Sequence, residues 1–219
     1  MRQDIQLARM ASTDLEGDLN GLLRRLGSGW SLVAFEAGAE VGLVDPVLSR
    51  EELASRVAIY QQEVLLRHEL PAIYRAFHHA SRSESRELVE FDQQFGPQMP
   101  PAIALASERV GRAQIRRLRP LTDDRVVQRY LRAVDQGQAK AWHTIAFGLT
   151  LAVYSVPVLQ GMIAFERQSL DGFLEAAARP LGIAEPDRRA IHDYLPSAVA
   201  GFVRTLQSES RLSIQITDP

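Results

Sequence analysis

Apolar residues recur three and four positions apart along most of this 219-residue chain, and that rhythm admits little besides packed amphipathic helices. Ser49 to Ala80 opens on a capping-box pattern, Ser49 followed by Glu52, and sets Leu53, Val57, Tyr60, Val64 and Leu65 at helical spacing. Pro71 interrupts this run, so a kink or break is expected there, with Tyr74 and Phe77 continuing the face beyond it. Pro97, Pro100 and Pro101 predict a loop, after which Ala102 to Leu118 is helical through Ile103, Ala106, Val110, Ala113 and Ile115. Thr122 is placed to cap Asp123 to Val134, and Gly137 to precede a helix from Gln138 to Tyr154 carrying Trp142, Ile145, Leu149 and Ala152. Further helices are expected over Pro157 to Phe165, Ser169 to Ala178 and Pro186 to Leu206. Only Arg211 to Thr217 alternates as a strand would, with Leu212, Ile214 and Ile216 on one side. The expected architecture is all-α, a single domain over residues 1–219 built from about eight to ten helices. A short polar N-terminal segment and a tail over 208–219 flank the bundle.

Composition matters for what it removes. Without cysteine there is no disulfide framework, thiolate metal site or cysteine nucleophile. Met1 to Asp14 is charged and polar, and no window reaches the roughly 18 apolar residues of a membrane span, so a cytoplasmic protein with no membrane partner is expected. Lys140 is the single lysine among 25 basic side chains, but the acids outnumber these and the net charge is −2. No global basic field attracts nucleic acid.

Chemistry-bearing residues are sparse. His68 and His79 lie about three helical turns apart, and the adjacent His78 and His79 point in different directions, so one helix cannot chelate an ion through them. They read as boundary groups or, with partners from elsewhere, as a transient metal contact. His143, at the edge of the apolar run 144–148, reads as a satisfied core or interface group before it reads as a ligand. No Gly-x-Ser-x-Gly elbow and no phosphate-binding glycine loop occurs, so no catalytic residue is assigned. Arg109, Arg112 and Arg116 share one helical face, with Arg117 and Arg119 close by. That cluster is either a solvated face or a surface for an acidic partner or phosphate.

Several short motifs, in order, carry a resemblance. His143-Thr-Ile-Ala-Phe147-Gly148 is similar to the His-x-x-x-Phe-Gly segment of the urease accessory protein UreF family. Downstream, Leu174 to Ala178, Arg179, Leu181 and Gly182 resemble that family's small-residue helix and its Arg-Leu and Leu-Gly pattern. Upstream, Ala106-Ser107-Glu-Arg-Val-Gly111-Arg112 is similar to Ala-Ser-x-x-Met-Gly-Arg, and Glu69-Leu70-Pro71 to Asp-Leu-Pro. The resemblance implies a non-catalytic helical homodimer that binds an accessory GTPase and a second accessory scaffold protein and helps deliver nickel to the urease apoenzyme. Nickel and GTP would then enter through partners, with no cofactor or metal held stably by this chain. Partner contacts would fall at Arg179, Gly182, Glu36, His143, Gly111 and Arg112. Arg179, set before Pro180 at a helix end, could equally cap its own helix.

The departures are specific. The family's Leu-Pro-x-Gly loop and Gly-Leu-Glu turn are eroded to Ser28 through Glu36, residues 91–101 look inserted, and the Ser-x-x-His-Glu and Arg-Leu-Phe elements are not met before Pro219. A UreF-like chaperone for a different metalloenzyme is therefore an alternative. So is a helical ligand-binding or regulatory domain, in which the region from Trp142 to Phe165 lines a pocket. A small helical enzyme using His78 or His143 would show as a closed pocket joining a histidine to a carboxylate.

Overall fold

The computed structural model describes residues 50–96, 101–178 and 182–217, and among these every regular element is a helix. In chain order they are α1 (Arg50–Tyr60), a π-helical segment (Gln61–Glu69), α2 (Leu70–Ser81), α3 (Ser85–Phe95), α4 (Pro101–Arg117), α5 (Arg125–Asp135), α6 (His143–Val153), α7 (Val158–Ala178), α8 (Glu185–Tyr194) and α9 (Ala198–Thr217). Ser49, its proposed capping box and the segment Pro97–Pro100 lie outside the described residues.

At Pro71, where a kink or break is expected, the helix is disturbed but not broken. Residues 50–81 run on without a gap, and the coil widens just before Pro71, where Leu70 N–H reaches back to Leu65 O. A wider coil removes the clash that a proline ring makes with the preceding turn. Widening also changes which side chains share a face. Tyr60 and Glu69 are nine residues apart, about two and a half α-helical turns, so an unbroken α-helix would place them on opposite sides. In the i→i+5 coil the same nine residues make about two turns, and Tyr60 Oη donates to Glu69 Oε2 at 3.3 Å.

Helix α6 is the axis of the molecule. Its nine residues from His143 to Leu151 are all buried, the signature of a helix enclosed on every side. It packs most extensively on α2 and next on α4. Gly148 permits the first contact: a Cβ there would lie 2.5 Å from Ile73 O and 2.8 Å from Ala76 Cβ. The mid-helix glycine marks a close helix approach.

Several sequence boundaries move, each for a local reason. Asp124, rather than Thr122, caps α5, its Oδ1 accepting from Val127 N–H at 3.0 Å. Helix α6 begins at His143 instead of Gln138, because residues 140–142 give their N–H groups to Asp92. The two helices expected over 157–178 are one, α7. The helix expected over Pro186 to Leu206 is two, since Pro196 ends α8 and α9 restarts at Ala198. Residues 211–217 continue α9 rather than forming a strand. A lone terminal strand has no partner for its backbone groups, whereas a helix pairs them internally.

Candidate functional site

Among the described residues three carboxylates sit in the interior, and each fixes a different junction. Glu69 ends the π segment at 3% exposure, with Oε1 lying 3.2 Å from His143 Nε2. His143 Nδ1 is 2.8 Å from Ser107 Oγ, and the same oxygen accepts from the His143 backbone N–H at 3.2 Å. With Ser107 donating to Nδ1, the proton on Nε2 faces Glu69, and every polar atom of this row is used. Burial, and then the negative charge of Glu69, push the Tyr60 phenol well above its ordinary value, so it remains a donor.

Asp92, 0% exposed on α3, holds the entry to α6. Its Oδ1 accepts from Lys140 N–H at 2.6 Å, and Oδ2 from Tyr130 Oη at 2.6 Å and Ala141 N–H at 3.0 Å. Trp142 joins twice, its backbone N–H at 3.4 Å from Oδ2 and its indole Nε1 donating to Asp92 O at 2.9 Å. Burial raises the Asp92 carboxyl above the ordinary carboxylate range, although these hydrogen bonds pull the other way. Ala141, clamped there, has a φ of 60°, a left-handed conformation that costs a non-glycine residue about 1 to 3 kcal/mol. Its carbonyl lies against Gly111, where a Cβ would collide with it and sit 2.8 Å from His143 N.

Glu166 on α7 does the same for α9. Oε1 accepts from Ala198 N–H at 2.5 Å and from Gln61 Nε2 at 2.9 Å, while Oε2 accepts from Ser197 Oγ at 2.9 Å and Val199 N–H at 3.2 Å. A carboxylate against the first N–H groups of a helix satisfies donors that have no partner within the helix and opposes the positive end of its dipole.

The order Ser107, His143, Glu69 has the connectivity of a nucleophile, a base and an orienting acid. It is closed to substrate: the three side chains are 0%, 1% and 3% exposed. A histidine joined to a carboxylate is thus present, but as interior structure. Along α6, the residues from His143 to Leu151 are packed as core. Phe147 and Phe165 pack at 5.2 Å between ring centroids, and His143 stacks on Phe165 at 5.8 Å.

The residues singled out in the sequence fall into three groups. His143 and Gly111 are interior and meet each other's segments. Arg112 is half-exposed, paired with Glu108 at 3.0 Å and donating to Lys140 O at 3.3 Å, so it ties α4 to the loop that Asp92 holds. Gly182 is an exposed turn glycine with φ +63° and open space around it. Arg179 and Glu36 lie outside the described residues. His79 pairs with Glu84 at 2.8 Å, whereas His78 packs against Tyr74 and is held below its ordinary pKa by burial and by Arg82 and His79. Among the described residues no group of three or more histidine or acidic side chains is gathered as a metal site. Arg119 pairs with both oxygens of Asp135, at 2.8 and 2.9 Å, so part of the arginine cluster is neutralised on the surface.

The short motifs noted in the sequence therefore converge. Glu69-Leu70-Pro71 supplies the acid, Ala106-Ser107 through Gly111-Arg112 supplies the serine and the close contact, and His143 through Gly148 supplies the histidine and the axis they surround. The family model UreF matches residues 47–185, more than half of the chain. The chain belongs to the UreF family. No curated protein and no solved structure matches it. UreF is an accessory family and not a catalytic one, which agrees with a Ser107–His143–Glu69 row sealed from solvent. The UreF match spans Glu69, Asp92, Ser107, His143 and Glu166, but it ends before Ser197 and Ala198, the partners of Glu166 at the start of α9. Sequence reasoning missed Asp92 and Glu166 altogether. A lone acid in an amphipathic helix carries no local sign that its carboxylate caps a helix distant in sequence.

Proposed function

We propose that this UreF protein is a non-catalytic scaffold in urease maturation. It binds an accessory GTPase and a second accessory scaffold protein as a homodimer in the cytoplasm, and the assembly hands nickel to the urease apoenzyme. Nickel is cargo in this reading and GTP belongs to the GTPase; this chain holds neither as a resident cofactor. The observation that carries the proposal is the family match over residues 47–185. The interior carboxylates Glu69, Asp92 and Glu166 are engaged with other groups of the fold, which supports it by leaving partner surfaces as the working parts. Among the described residues no helix is long and apolar enough to cross a membrane.

Of the candidate contacts, the exposed Gly182 and half-exposed Arg112 would touch a partner directly in this reading. His143 and Gly111 would act by setting the surface above them, and Arg179 and Glu36 remain proposed contacts. A scaffold shifts its GTPase partner only if it binds one nucleotide state better, and a tenfold preference needs about 1.4 kcal/mol.

Co-expression with the urease subunits and accessory proteins tests this. The tagged chain should co-purify with the GTPase and the second accessory protein, and urease activation should fall when the chain is omitted. Activation that is indifferent to the chain, with no association, would overturn the proposal and point to another client metalloenzyme.

A further inference from the structure

Two charged grooves lie on the surface, and they differ in balance. The one between α7 and α8, about 600 Å³, is lined by Arg167, Arg188 and Arg189 but also by Asp171, Glu175, Glu185 and Asp193, and Glu185 already pairs with both Arg188 and Arg189. It has no preference for either sign. The groove between α3 and α5, about 540 Å³, is lined by Arg86, Arg129 and Arg132 and by a single acid, Glu90, which Arg86 occupies at 2.9 Å.

Neither Arg129 nor Arg132 makes an ion pair among the described residues. Arg129 Nη1 reaches Ser85 Oγ at 3.3 Å, and Arg132 Nε reaches Gln128 O at 3.3 Å. Both bonds go to neutral acceptors and leave the charge uncompensated. The remaining polar wall is Gln93, Gln136 and Gln138, and Gln93 donates to Gln138 O at 2.7 Å, which stiffens that side. In a chain of net charge −2, two guanidinium groups three residues apart on one helix, facing one groove without an ion pair, concentrate positive charge there. Arg112 and Arg119, by contrast, have carboxylate partners, while Arg117 on α4 donates to the neutral Gln114.

We propose that the α3–α5 groove is a docking surface for an acidic segment of a protein partner, whose carboxylates take the free forks of Arg129 and Arg132. Arginine forks match carboxylates bidentately, and glutamine amides accept and donate along a peptide backbone. The lining has no aromatic side chain on which a base could stack, so single-stranded nucleic acid is disfavoured. The inference concerns the chemistry of one surface and does not depend on which metalloenzyme the scaffold serves.

Fluorescence anisotropy of a labelled oligoglutamate peptide, titrated with the full chain, tests it, with a labelled single-stranded oligonucleotide as the competing probe. The peptide should bind, more weakly at high salt, and R129Q/R132Q should weaken it by about tenfold or more, while R188Q/R189Q in the balanced α7–α8 groove leaves it within about twofold. Thermal melts of both double variants check that each is folded. Should R129Q/R132Q prove unfolded, excess free glutarate competing with the peptide on the wild-type chain, together with the single variant R132Q, replaces it. Equal loss in both pairs, no peptide binding, or tighter oligonucleotide binding through the same two arginines would each overturn the proposal.

Discussion

The start of α6 and the start of α9 solve one problem with different degrees of closure. Each follows an irregular stretch held by a carboxylate from another helix, which takes the N–H groups just before α6 in one case and the first N–H groups of α9 in the other. At α6 the acid is Asp92, fully buried, and it collects the N–H groups of residues 140–142, a tyrosine hydroxyl and a strained alanine. At α9 the acid is Glu166, 6% exposed, and it shares the work with Ser197, whose Oγ accepts from Ala200 N–H at 3.3 Å at the solvent edge. Glycine contacts show the same contrast. A Cβ on Gly148 of α6 would strike backbone, whereas one on Gly201 of α9 would meet only Leu66 and Arg204 side chains at 3.6 to 3.8 Å. The centre is locked by the backbone and the C-terminal helix is laid against it. A UreF-family chain built this way has a rigid interior and one helix that can be adjusted at small cost.

The sharpest break in that comparison is Asp92→Ala. It strands several buried donors and releases the φ 60° turn at Ala141, so a loss of about 3 to 5 kcal/mol in urea unfolding is expected. Gly148→Leu comes next, at about 3 kcal/mol, because the side chain must push α6 off the backbone of α2. Glu166→Ala should cost less, about 1 to 3 kcal/mol, since Ser197 and water can still serve the end of α9. Its effect should be local, with faster amide exchange in α9 while α6 keeps its protection. Gly201→Ala should reverse the sign and stabilise by about 0.5 to 1 kcal/mol, measured as a higher Tm. If Gly148→Leu and Gly201→Ala cost the same, the distinction between locked and laid helices fails.

How much of this was legible in the sequence divides along the same line. The all-helical class, the close approach at Gly148 and the burial of Leu53, Val57, Tyr60 and Leu65 follow from periodicity, because a packed face must repeat with the helix. His143 as a satisfied core group was legible from its apolar neighbours. The π segment was only half legible: Pro71 announces a disturbance, but whether the coil breaks or widens is decided by Tyr60, Glu69 and His143 meeting across sequence-distant elements. Helix starts at 143 and 198 were misplaced because the acids that hold the chain there, Asp92 and Glu166, lie 50 and 32 residues away in sequence. Local capping rules see only residues within a turn. The resemblance motifs, read as partner contacts at Gly111 and His143, turn out to mark residues that pack on one another.

The smallest expected effect concerns the charge state of Asp92 and decides whether its lock is ionic. Burial holds its carboxyl above the ordinary carboxylate value, and the N–H and hydroxyl donors oppose that without cancelling it. A folded-state pKa above the unfolded one means that the folded chain binds the proton more tightly between the two values. Stability from this group is therefore fully present below about pH 3.9, the unfolded value, and declines as pH rises through the raised folded value, after which it is flat. Other carboxylates titrate in the same range, so the readable quantity is the difference between the wild-type chain and Asp92→Asn, whose side chain cannot ionise. Urea unfolding of both proteins from pH 4 to pH 7 should show the wild-type advantage shrinking as pH rises. An advantage that grows with pH would mean that the donors from Tyr130 and residues 140–142 outweigh burial. The entry to α6 would then be held by a charge-assisted bond that strengthens on ionisation.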